Sequence, residues 1–129
     1  MTLMIEDLVT YLKSKNMSCG SRISPIKRAH GEALPALVYQ QIAGPRVRSH
    51  SGDSGLIHPT IQFTAWGKTY AQAKTLAKQL IAALESYHGT TGSTIFEASF
   101  VELEQDGVAP DANDFFVTVD VIIWHGGTS

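Results

Sequence analysis

The residues whose types and spacing suggest chemistry sit in three stretches. Gly52-Asp53-Ser54-Gly55 is the small-residue frame that surrounds the nucleophile of trypsin-like serine proteases. Such a serine needs a histidine base held by a buried aspartate, and an oxyanion hole. The chain has 129 residues, too few for the paired barrels that hold that triad, and no histidine stands in a recognisable partner context. His125-Gly126-Gly127 has the composition of a lipase oxyanion loop, but it follows the last strand-like run of the chain. Both groupings read as coincidences of turn-forming residues. The third stretch, Arg46, Arg48 and His50, sets positive groups at alternate positions of an extended segment. Arginines so placed suit carboxylate or phosphate partners.

Metal and cofactor chemistry finds little support. His30, His50, His58, His88 and His125 show no HxH or HxxxH spacing and no pairing with Cys19, so no zinc ligand set is expected. Glu102, Glu104, Asp106, Asp111 and Asp114 gather around one polar segment. Such a cluster could hold Mg²⁺ or Ca²⁺ weakly, but it lacks the glycine and ligand periodicity of a calcium loop, and a solvated acidic hairpin is the favoured expectation, with divalent-cation binding by 102–114 left open. There is no glycine-rich phosphate loop. No catalytic residue, metal or cofactor is assigned.

These residues must be carried by a small number of elements, and the clearest pair spans Pro59 to Gly89. In PTIQFTAW, Ile61, Phe63 and Ala65 alternate with Thr60, Gln62 and Thr64, the period of a strand buried on one face. Gly67 ends the run, and Thr69 stands three residues before Gln72 in capping-box spacing. Tyr70, Ala73, Ala77, Leu80, Leu84 and Tyr87 then recur every three or four residues, widened by Leu76 and Ala83, which predicts a helix over 69–88 that stops at Gly89. Ile5, Leu8, Val9 and Leu12 predict a first helix over 3–16. Residues 17–35 read as irregular, with Ile23 and Ile26 as anchors. Strands are predicted over 36–42, 94–104 and 115–124. Of these, FFVTVDVIIW is apolar on both sides except for Thr118 and Asp120, the pattern of a central strand. Residues 105–114 are read as a hairpin loop, and Trp66 and Trp124 as edges of the core. Residues 44–57, rich in Gly and Ser, form a loop long enough to predict a mobile, functional segment.

The expected architecture is one α+β domain over 1–129, in the order α-β-β-α-β-β. A four-stranded, mostly antiparallel sheet carries both helices on one face. A hydrophobic content of 43% and a charged content of 17% suit a globular chain with a sizeable core. One cysteine excludes an internal disulfide framework. The first residues lack a basic leader, and no apolar run approaches the roughly 20 residues of a membrane span. The expectation is therefore a chain made in the cytoplasm, without a membrane partner. Net charge is −2, but residues 1–58 carry seven Lys/Arg against four Asp/Glu, and residues 59–129 carry three against eight. Opposite halves of this kind can pair between copies, head to tail.

Arg22-Ile23-Ser24-Pro25, Leu34-Pro35-Ala36-Leu37-Val38-Tyr39-Gln40, a long polar loop, Ile61-Gln62-Phe63-Thr64-Ala65-Trp66 and Thr69-Tyr70-Ala71-Gln72-Ala73 follow one another along the chain. This succession resembles the tail-completion proteins of long-tailed bacteriophages, also called tail terminators or head–tail joining proteins. That family shows a Pro-apolar-Val-Tyr strand, a polar loop, a strand ending in Trp and a Tyr-x-x-Ala helix start. The resemblance implies a structural virion protein at the head-proximal end of the tail. It implies a homo-oligomeric ring, commonly a hexamer, that ends tail-tube polymerisation and docks the head connector. Tail-tube and connector proteins would be its partners, with DNA only passing through the lumen. Arg46, Arg48, His50 and Asp53 are then the expected subunit-interface residues. Two other classes stay open: a nucleic-acid or ligand-binding adaptor using the basic 22–50 region, and a small hydrolase using residues 50–55. An esterase and peptidase screen decides the last of these. No turnover that disappears in Ser54→Ala is expected, and turnover lost in that variant with folding intact would restore the hydrolase reading.

Overall fold

The computed structural model describes residues 4–15, 17–20, 22–25, 34–43, 48–49, 52–53, 59–85, 87–91, 94–108 and 114–127. In chain order these hold α1 (Met4–Lys13), β1 (Ile23–Pro25), β2 (Ala36–Ala43), β3 (Arg48–Ser49), β4 (Gly52–Asp53) and β5 (Thr60–Gly67). They continue with α2 (Tyr70–Leu84), β6 (Gly89–Thr91), β7 (Thr94–Val108) and β8 (Phe115–Gly127). Six strands join in one sheet, ordered β1-β2-β5-β8-β7-β6, while β3 and β4 make a separate two-stranded ribbon. The main sheet curls as a half-barrel.

This corrects the expected four-stranded, mostly antiparallel sheet and its α-β-β-α-β-β order. The sheet is six-stranded and mixed, because β1 runs parallel to β2, with Ile23 opposite Leu37. The two missed main-sheet strands have three residues each. That is less than two periods of alternation, so no hydrophobic pattern can announce them. β7 also continues through residues 105–108, which the sequence assigns to a loop. Among the described residues the first helix is Met4–Lys13, and the second closes at Glu85, well before Gly89. The Glu85 amide donates to the Ile81 carbonyl and completes the last turn.

β5 alternates between half-buried and buried from Thr60 to Gly67. Its inward residues Ile61, Phe63 and Ala65 lie opposite Val121, Val119 and Val117 of β8, and all six are fully buried. α2 covers this face with Ala73, Leu76, Ala77, Leu80 and Leu84. The start of α2 is built as its spacing implies, with one change. Thr69 Oγ1 accepts from the Gln72 amide, but the Gln72 side chain reaches back to the amide of Lys68, at 2.7 Å, rather than to that of Thr69. The turn needs glycine at 67 because a Cβ there would lie 2.5 Å from the Ala73 nitrogen.

α1 completes the layer. Leu8 and Leu12 are fully buried, and the Tyr11 hydroxyl donates to the Ala83 carbonyl at 2.7 Å. The Tyr11 ring stacks on Tyr87 with centroids 3.8 Å apart. The first helix is thus fastened to the end of the second and to the chain just beyond it.

Leu80 has no exposed surface. Leu80→Ala is expected to cost about 2–5 kcal/mol, the range for emptying a packed leucine site. Chemical denaturation measures it, and a loss below about 1 kcal/mol would mean that the helix packs differently.

Candidate functional site

Of the four expected interface residues, Arg46 and His50 lie outside the described residues. The backbone brings the other two together: Arg48 on β3 is the register partner of Asp53 on β4, and Ser49 is the partner of Gly52. The segment expected to be mobile, 44–57, therefore contains a ribbon at 48–49 and 52–53 and is otherwise outside the described residues. The ribbon lies in the connection from β2 to β5 and is not hydrogen-bonded into the main sheet.

Gly52 and Asp53 form β4, whereas Ser54 and Gly55 are outside the described residues. His125 is the register partner of Phe96 and is buried at 1% exposure. His88 is exposed, just before β6, whose Gly89 pairs with the same Phe96. Among the described residues, no group of three His, Cys, Asp or Glu side chains is placed to hold a metal ion. No described helix is long and apolar enough to cross a membrane.

The acidic segment is organised by a lysine of α2. Lys74 Nζ lies 2.8 Å from Glu104 Oε2 and 2.9 Å from Asp106 Oδ1. The Tyr70 hydroxyl donates to the second oxygen of Asp106 at 2.7 Å. Register explains the convergence. Glu104 and Asp106 lie opposite Val119 and Val117 on β8, so they project on the helix-bearing face of the sheet, beside the core. Glu102, Glu104 and Asp106 are thus part of a strand fastened to α2 rather than of a hairpin loop, while Asp111 lies outside the described residues. The sequence signal was present only as a lysine four residues after Tyr70, which carries no indication of a partner 30 positions away.

This arrangement shifts three groups. Lys74 is held above its ordinary value by its hydrogen bonds to Asp106 and then Glu104. The Asp106 carboxyl is lowered, first by the Lys74 bond and then by the Tyr70 bond. The Tyr70 hydroxyl is raised because it donates to that carboxylate. Since Asp106 is lowered on folding, its contribution is present above the ordinary carboxylate value of 3.8 and disappears as pH falls through its lower folded value. Lys74 behaves oppositely: its contribution is complete below 10.5 and disappears as pH rises through its raised value. Lys74 and Asp106 are therefore both charged across the neutral range, while the Tyr70 hydroxyl keeps its proton. It lies at the surface, where salt screens it.

The opposite face of the sheet has a different character. Trp66 faces Phe116 across the β5–β8 pair, with ring centroids 5.0 Å apart. Trp124 faces Ala98. Both tryptophans are half-buried and lie on the face turned away from the helices, not at the edge of the core. On the same face Phe100, the partner of Ile122, is 55% exposed, and Leu103, the partner of Asp120, is 49% exposed. Gln62 Nε2 donates to Asp120 Oδ1 at 3.2 Å within this surface.

No protein-family model matches the sequence, and no curated protein matches it. A likeness appears at the level of structure. A chain from the virion of a native gene transfer agent particle superposes with a TM-score of 0.67, covering 94% of each chain at 12% identity. At that identity the likeness establishes a shared fold along nearly the whole of both chains.

Removing the lysine tests the fastening of the hairpin. Lys74→Met is expected to speed amide exchange across Glu104–Val108 near neutral pH while leaving the thermal midpoint almost unchanged. The difference should shrink in acid as Asp106 becomes protonated. Equal exchange in both proteins at neutral pH would show that pairing with β8 alone holds this strand.

Proposed function

We propose that this chain is a structural virion subunit of the tail-completion type. It forms a ring at the head-proximal end of a phage tail tube, ends tube polymerisation and joins tail to head. The observation that carries the reading is the end-to-end likeness to a chain of a gene transfer agent virion, over 94% of both chains. The succession from Arg22 to Ala73 that resembles tail-completion proteins supports the same reading from the sequence side. The role is mechanical: the chain contributes binding surfaces and no turnover. Tail-tube and head-connector proteins are its partners, and DNA passes through the ring without being read.

A ring of identical subunits needs a heterologous contact, in which one surface of each copy meets a different surface of the next. The 44–57 segment is the reaching arm in this reading, with Arg46, Arg48, His50 and Asp53 at its contact. A tail tube would strengthen a weak contact by holding subunits at high local concentration.

Two experiments test the proposal. Deleting the gene is expected to leave separate heads and tails, with tubes of uncontrolled length, in electron micrographs. Normal joined particles would overturn the reading. The double variant Arg46→Glu, Arg48→Glu is expected to keep its thermal midpoint and to fail in complementation for infectious particles. Full infectivity from that variant would remove the arm from the contact.

A further inference from the structure

The sheet face turned away from the helices is most apolar along β7 and β8. Ile95, Phe100 and Leu103 leave 48%, 55% and 49% of their surface exposed. Ile95 precedes the buried Phe96 and so lies on the outer side of the strand, with the other two. Phe100 stands opposite Ile122, and Ala98 opposite Trp124, so the exposed side chains continue into half-buried apolar ones on β8. Exposed apolar residues gathered in this way mark a surface that another molecule covers.

Charge decides what can cover it. Glu97 and Glu102, at the two register shifts between β7 and β8, are exposed within the same stretch. Neither strand contains a lysine or an arginine. Two copies meeting through this face would bring carboxylates together with no cation between them, which opposes a symmetric, face-to-face pair.

The complementary charge lies on the helix layer of the same chain. The two helices and the residues flanking them expose Lys13, Lys15, Lys68 and Lys78 against Glu6 and Glu85. On α2, Ala71, Thr75, Lys78 and Ala82 are all exposed, and their spacing puts them along one outward stripe. Lys78 thus stands among small side chains, where large ones such as Phe100 and Leu103 can approach. Among the described residues, none is ion-paired with Lys78, Glu97 or Glu102.

We infer that the outer face of the β7–β8 pair receives the outward side of α2 from a second copy. Ile95, Phe100 and Leu103 form the centre of the contact, and Lys78 meets the carboxylates of Glu97 and Glu102. The contact is heterologous: each copy offers its helix layer on one side and its sheet face on the other, an arrangement from which a ring can close. This rests on the ring reading above and names two subunit surfaces outside the 44–57 segment.

Sedimentation velocity over a concentration series tests it. The unmodified protein is expected to associate reversibly at low salt, and added salt should weaken the association. Phe100→Ser with Leu103→Ser should raise the dissociation constant roughly tenfold or more. Lys78→Glu alone, and Glu97→Lys with Glu102→Lys, should each weaken association in the same way. The triple variant Lys78→Glu, Glu97→Lys, Glu102→Lys reverses both surfaces, and its association should return. Circular dichroism checks that every variant folds. An unmodified protein that stays monomeric, a Phe100→Ser, Leu103→Ser protein that associates normally, or a folded triple variant that stays monomeric would each overturn the inference. Association unaffected by Lys78→Glu but lost in Glu97→Lys, Glu102→Lys would overturn it too, because the sheet face would then meet some surface other than α2. Association that obeys these charges, with a gene dispensable for head–tail joining, would remove the virion role and keep the contact. Separate heads and tails on gene deletion, with full joining by Lys78→Glu, would remove the contact and keep the role.

Discussion

Close approach between α2 and the β5–β8 pair is the constraint on which the rest of the structure depends. The helix can lie on that pair because its inward face includes Ala73 and Ala77, both without exposed surface, and because the turn that brings it back passes through Gly67. A Cβ at that glycine would meet the backbone of the first helical turn at 2.5 Å. Small residues on the helix set the separation, and the larger Leu76, Leu80, Leu84 and Phe63 fill what remains. Dispersion and removal of apolar surface from water both depend on that fit. α1 then has one place to go, against the far end of α2, where Tyr11 meets Ala83 and Tyr87.

With one face committed to the core, the other properties of the sheet follow. β8 lies between β5 and β7 and carries apolar residues on both sides, in keeping with its central place. Its outward residues, with Trp66 and Phe100, give the second face an apolar character that a solvent-facing sheet seldom has. The strand order also places β1 and β2 towards one edge and β7 and β6 at the other. β1 and β2 carry no charged residue, whereas β7 carries Glu97, Glu102, Glu104 and Asp106.

The Lys74 cluster has a distinct part in this arrangement. It neutralises two carboxylates near the free end of the β7–β8 hairpin and ties that end to α2, while Glu97 and Glu102 remain exposed further along the edge. The acidic residues of one strand are thus divided. Glu104 and Asp106 are bound to Lys74, and Glu97 and Glu102, at the two register shifts between β7 and β8, are exposed.

The long elements were legible in the sequence because their periods extend over several repeats. Ile61, Phe63 and Ala65 alternate, and Ala73, Leu76, Ala77, Leu80 and Leu84 recur at helical spacing, so burial follows from pattern. Thr69 announced the helix start because capping is a local interaction within four residues. What the chain could not announce was everything decided between distant segments. β1 exists because Ile23 finds Leu37 beside it in parallel, and three residues have no period of their own. The extension of β7 through Gln105–Val108 depends on the facing residues of β8, which outweigh the low strand propensity of its acids and glycine. The partners of Lys74 are set by register, as are the faces occupied by Trp66 and Trp124. Local periodicity determined which residues would be buried; pairing across the sheet decided how many strands the described sheet has, which faces the tryptophans occupy and which carboxylates reach Lys74.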